Sequence, residues 1–284
     1  MSRSTTVAPR SATSLTAELL ESDRRYFESA AVLEQAGGAT IVRVPGLERV
    51  SAGCVVHRID ASVLPRDPAR WIELVEQRLL GHGCRRARFY LTGRHPALEA
   101  ALFTRGYRPQ DEIGYILAVD GRPIAARPDA PIAELRPVTS ADDWAAKLAL
   151  HRLSGAGPDG HDSEPEAWVE LERLRASVGW MRPFFIVSRG AIRGVIALSA
   201  GESLLRLKNL LVHPSWRRMG IGTAVLHRAQ AIAWREGWAG VGAFALAGDP
   251  AEQLFARAGY EAVARQTEWM RPLGPRIDLM EPTA

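Results

Sequence analysis

A chain of 284 residues, 46% apolar and 24% charged, can bury a substantial core and is long enough for two modest domains. Lys and Arg exceed Asp and Glu by only 36 to 32 and form no basic stripe, which argues against a nucleic-acid partner. Two cysteines, Cys54 and Cys84, are too few for a disulfide framework and are not spaced as a metal knuckle. No apolar run approaches the ~18 residues of a membrane span, so a cytoplasmic protein with no metal and no membrane partner is expected.

Residues 1–15 begin MSRSTTVAPRSATS, with arginines but no acid, and read as a flexible tail. A first domain is expected over 16–119. DGRPIAARPDAP, residues 120–131, is rich in Pro, Gly, Asp and Arg without periodicity and reads as a linker. A second domain follows over 132–273, with a tail at 274–284. It opens with the alternating strand IAELRPV and the helix TSADDWAAKLALHRL, which carries a Ser/Thr cap and acids in its first turn. The polar loop GAGPDGHDSEPE, residues 155–166, leads into a helix through about Val178. PFFIVSR, AIRGVIALS and LLRLKNLLV predict an antiparallel meander. A helix to Gly237, the strand VGAFALA, the helix PAEQLFARAG and the strand ARQTEWMR complete the order βααβββαβαβ.

The first half carries a faint copy of this ending. Aligning Gly106-Tyr107 with Gly259-Tyr260 pairs Glu99 with Glu252 and Leu102 with Phe255, so tandem copies of one fold are expected.

WRRMGIG, residues 216–222, lies between the third meander strand and a helix whose Ile221, Val225, Ala229 and Ile232 share one face. The first-turn N–H groups of such a helix lack intrahelical acceptors, and with the helix dipole they form an anion site. Arg217 and Arg218 add guanidinium charge, while Gly220 and Gly222 are expected to let a phosphate approach the backbone. The first-half counterpart, VLPRDP at 63–68, has no glycine and two prolines, and so is unsuited to that task.

Residues 132–273 resemble the GNAT superfamily of N-acetyltransferases. Its Q/R-x-x-G-x-G/A loop stands here as Arg217-Arg218-Met219-Gly220-Ile221-Gly222, and its LYEKLGF-like segment as LFARAGY, residues 254–260. The resemblance implies an α/β fold with a mixed sheet, in tandem GNAT-like domains, each a mostly antiparallel twisted sheet flanked by helices. It implies an acyl-CoA cosubstrate, acetyl-CoA being the expected donor, bound by Leu210, Leu211 and Val212 along the pantetheine. Arg217, Arg218, Met219, Gly220, Ile221, Gly222 and Thr223 are expected at the pyrophosphate, and a small-molecule primary amine would be the acceptor.

The customary catalytic positions do not fit. Where many relatives place a basic Glu, this sequence has Arg206 and Lys208, read as sharing a face with Leu210 and Val212 and as candidates to bind an anionic group on the acceptor. Where relatives place a Tyr acid stands Phe255, which has no proton to give. The loop offers Asp159, His161, Asp162 and Glu164, with His161 the candidate because imidazole titrates near neutrality. A non-catalytic acyl-CoA-binding sensor is the alternative. Trp144, Trp168, Trp180, Trp234 and Trp238 are read as packing residues.

Overall fold

The computed structural model describes residues 12–60, 62–64, 66–119, 132–154 and 164–274. In the first half, α1 (Ala12–Glu28) precedes β1 (Val32–Gln35), β2 (Thr40–Arg43) and β3 (Cys54–His57). Then come α2 (Pro68–Gly81), β4 (Arg86–Thr92), α3 (Pro96–Thr104) and β5 (Arg108–Ala118). The second half runs β6 (Glu134–Pro137), α4 (Ala141–Ser154), α5 (Pro165–Ser177), β7 (Arg182–Ser188), β8 (Ala191–Ala200) and β9 (Leu204–Val212). It closes with α6 (Ile221–Glu236), β10 (Gly240–Leu246), α7 (Pro250–Arg257) and β11 (Glu261–Pro272). Every element expected of the second half is present in the expected order. The tail expected over 1–15 is corrected at residues 12–15, which belong to α1, with Leu15 buried; residues 1–11 lie outside the described residues.

The described strands form one sheet of eleven, ordered β1-β2-β3-β4-β11-β5-β10-β9-β8-β7-β6. Equating β5 with β11, β4 with β10 and β3 with β9 makes the order nearly palindromic, so the internal repeat is a pseudo-twofold. Each half lends its last strand to the other: β5 pairs antiparallel with β10, and β11 pairs antiparallel with β4. The mostly antiparallel, helix-flanked sheets expected of the two halves are present and join edge to edge as one continuous sheet, and the linker expected at 120–131 lies outside the described residues. The exchanged strands meet at the centre, where Glu112 faces Gln266 across the β5–β11 ladder.

Helices α2, α3, α6 and α7 cover one face of the sheet and α1, α4 and α5 the other, as their core partners show. Under α6, Ile221, Val225, Ala229 and Ile232 are all buried as the periodicity predicts, each large aliphatic contributing about 1.5–3 kcal/mol. Among the tryptophans, Trp168 is buried against the α1 end and Trp238 packs on the α6 core, but Trp234 is corrected to a 48% exposed position on the outer side of α6.

Candidate active site

Three of the described helix starts are closed by their own side chains. Asp67 accepts from the Arg70 N–H at the head of α2, and Asp249 from the Ala251 N–H at the head of α7. Ser140 and Asp143 cap α4 reciprocally. The head of α6 differs: Gly220 stands at the cap position in the left-handed region (φ 78°), supplies no side chain, and no acid occupies the first turn. The first capping bond is from the Ala224 N–H to the Gly220 carbonyl, so the N–H groups of Ile221, Gly222 and Thr223 precede it and point out of the helix end. Gly220 is there for its backbone angle. Gly222 has a second reason beyond ligand clearance, since a Cβ there would lie 3.0 Å from the Leu254 side chain of α7.

This helix end opens onto a cleft of about 600 Å³. β9 and β10 pair in parallel only through Leu204–Arg206 and Gly240–Gly242, then diverge. The cleft enters this opening, with Ile221, Leu254 and Phe255 on the α6–α7 side and Lys208, Phe244 and Glu112 on the α1 side. Of the ten residues expected to hold the cosubstrate, Leu210, Val212, Arg217, Arg218, Gly220, Ile221, Gly222 and Thr223 line it. Met219 has its side chain exposed outside it, and Leu211 packs instead with Leu150, Phe185 and Val195. The reason is a β-bulge. Asn209 and Leu210 together oppose Ile196, and Asn209 takes a left-handed backbone (φ 55°). Strand parity flips there, so the expectation that Arg206 and Lys208 share a face with Leu210 and Val212 is corrected.

Arg206 and Lys208 face α1, where Asp23 meets them. Arg206 is 1% exposed and donates from Nη2 to Asp23 Oδ1 at 2.9 Å, with the Phe244 ring 4.7 Å from its guanidinium carbon. Lys208 Nζ donates to the same oxygen at 3.1 Å and lies 4.2 Å from the centre of the Tyr26 ring. The positive charge expected to await an acceptor anion is thus already met by a carboxylate of the first half. Burial opposes ionisation of Asp23, but Lys208 and Arg206 outweigh it and hold its pKa well below the usual carboxylate range.

Glu112 is the residue the sequence did not suggest. It reaches the cleft from β5, the strand the first half lends, and accepts from Gln266 Nε2 at 2.6 Å. The same amide nitrogen donates to Asp23 Oδ2 at 2.8 Å, so one amide links the two carboxylates. Burial and the neighbouring Asp23 charge push the Glu112 pKa up to about 7 despite the opposing Lys208 cation. A carboxylate poised at neutrality on the wall of a cleft has the properties of a general base.

Phe255 lies in the cleft wall, stacked on Tyr115 with ring centres 5.2 Å apart, in a purely apolar role. His161, Asp159 and Asp162 fall outside the described residues, and Glu164 is at the surface with Arg49 Nε at 2.7 Å. Trp216, which the sequence reading passed over, lines the cleft with the Arg193 guanidinium 3.5 Å from its ring centre. At the pseudo-equivalent place in the first half, the Asp67 carboxylate occupies the head of α2, and Trp71 fills the core beneath with Phe89 and Leu64.

Among the described residues, no helix is long and apolar enough to cross a membrane. Residues 181–262 match the acetyltransferase (GNAT) domain family, a span that includes β9, the α6 loop and α7. The chain matches no curated protein. Among solved structures it is similar to a GCN5-related N-acetyltransferase from Kribbella flavida, with 15% identity and a TM-score of 0.62, over 94% of this chain and 97% of the other. It is also similar to a GCN5-related N-acetyltransferase from Sphaerobacter thermophilus, with 20% identity and a TM-score of 0.61, over 85% and 79%. A tandem GNAT protein from the clavulanic acid biosynthesis pathway aligns at 14% identity and a TM-score of 0.58, over 91% and 88%. At these identities the likeness is one of fold.

Proposed function

We propose, from the GNAT acetyltransferase domain that this chain carries, that the protein is an acyl-CoA-dependent N-acyltransferase acting on a primary amine of a small molecule, with acetyl-CoA as donor. One observation carries the reading: Glu112 lines the same cleft as the open head of α6. In this reading the pyrophosphate rests on the Ile221, Gly222 and Thr223 N–H groups, with Arg217 and Arg218 at its rim. The pantetheine passes through the β9–β10 opening, where β9 has backbone groups without a parallel partner. Glu112 takes a proton from the acceptor ammonium, and the freed nitrogen lone pair attacks the thioester carbonyl. The C–S bond breaks, CoA leaves as a thiolate, and the second proton of the attacking nitrogen passes to that thiolate, leaving the neutral amide and CoA thiol. A thiol of pKa about 8.5 is a modest base, so Phe255 in place of an acid is compatible with turnover. Phe255 is also what favours a second reading, a non-catalytic acyl-CoA sensor; release of CoA thiol in step with acylated amine would eliminate it.

Thr223→Glu tests the cosubstrate site without breaking the helix. An acid in the first turn favours the helix by about 0.3–1 kcal/mol, so melting is expected to stay unchanged or rise. The same carboxylate repels a pyrophosphate, so CoA release in an amine-acceptor screen is expected to fall to background. Full activity in this variant would sink the placement. Gly222→Asp is a poorer probe, because its side chain also meets Leu254.

A further inference from the structure

The bulge that borders the cleft, three residues past the last β9–β10 pair, has an anchor which the chemistry above leaves unused. Lys147 and His151, one turn apart on α4, and Glu172 on α5 form a buried cluster on the α1 face, all three at most 3% exposed. Lys147 donates to Glu172 Oε2. His151 Nε2 lies 2.9 Å from the Lys147 ammonium, which has only protons to give, so the ring accepts as the neutral form. Burial, then the Lys147 charge, lowers the His151 pKa to about 4, in keeping with that assignment. The other Glu172 oxygen, Oε1, accepts from the side-chain amide of Asn209 at 2.5 Å. The cluster therefore reaches the sheet at the bulge residue that lines the cleft and carries the left-handed backbone angle.

An ion pair in a core is seldom the most stable filling of the space, since apolar residues of equal volume do as well or better. Asn enters left-handed backbone more readily than other residues with a Cβ, but it stays in that one conformation only where its surroundings hold it. We propose that Glu172, itself held by Lys147, is a positioning residue: it fixes Asn209 in the left-handed conformation and so sets the course of β9 beyond its last pair with β10, where it presents its backbone to the acyl-CoA. The inference rests on the reading of the cleft as the acyl-CoA site.

Two substitutions at one position separate this from a direct role of the amide. Asn209→Ala and Asn209→Gly both remove the hydrogen bond to Glu172, but only glycine adopts φ 55° without strain. Acetyl-CoA affinity, read by calorimetric titration, is expected to fall about tenfold or more in Asn209→Ala and to stay near native in Asn209→Gly. The variant Lys147→Met/Glu172→Met, which keeps the core filled, is expected to melt near the native temperature yet lose affinity as Asn209→Ala does. Adding Asn209→Gly to it is expected to restore binding. Native affinity in Asn209→Ala, or equal losses in the alanine and glycine variants, would overturn the positioning role. Absence of saturable binding by the native protein would instead overturn the acyl-CoA reading beneath it.

Discussion

Glu112→Gln is expected to lower kcat by about 10²–10⁴-fold, the usual contribution of a general base, while leaving acetyl-CoA affinity close to native. The native rate should climb as pH rises through about 7, where Glu112 loses its proton, and this rise should vanish in the variant. Stability should move the other way. A carboxylate whose pKa goes from 4.5 to about 7 on folding binds its proton more tightly in the folded state. The native protein therefore loses stability from this group as pH rises from about 4.5 to 7, and above 7 the full cost of ionisation is present. Glutamine removes that cost, at most about 3 kcal/mol from the shift, so at pH 8 the variant should melt higher than the native protein while turning over slowly. A variant that melts lower and keeps its rate would refute the assignment on both counts.

Asp23→Ala should be the most destabilising single change near the site. It leaves Arg206 buried without its carboxylate and removes the partner that Lys208 and Gln266 share. Loss of one member of a buried pair costs about 3–5 kcal/mol, a large share of the ~5–15 kcal/mol that holds a domain folded. The measurement is the denaturant midpoint at pH 7 with the slope unchanged. Asp23→Ala/Arg206→Met should recover much of the loss, because an apolar side chain then occupies the site without an unpaired charge. The pH sign is opposite to that of Glu112. The Asp23 pKa is lowered by folding, so its contribution is complete above the ordinary carboxylate range and fades as pH falls below it. Equal destabilisation in the single and double variants would show that the charge pair is not what joins α1 to β9.

The second half was legible because its signals are local. Alternation and 3.6-residue periodicity placed each strand and helix, and Arg217 to Gly222 marked the open helix end without any tertiary knowledge. What escaped detection depends on pairings far apart in sequence. Glu112 lies at the end of the first half, and a sequence cannot show that β5 and β11 have changed places, since either strand fits either sheet by pattern. The Gly106-Tyr107 and Gly259-Tyr260 correspondence was the available signal: two strands so alike can exchange at little energetic difference. Arg206 and Lys208 were misjudged because α1, read partly as tail, brings Asp23 onto them. The face of Leu211 was lost to a bulge at Asn209, a residue tolerant of left-handed backbone but followed by Leu210 and Leu211, which disguise the break in alternation.

The most direct measurement is calorimetric titration of the full chain with acetyl-CoA, beside Thr223→Glu. One saturable site per chain, lost in a variant that melts no lower than the native protein, is the expected result, because Asp67 and Trp71 fill the corresponding place in the first half. No binding by the folded native protein, or binding that survives Thr223→Glu unchanged, would contradict the assignment of the α6 cleft as the acyl-CoA site.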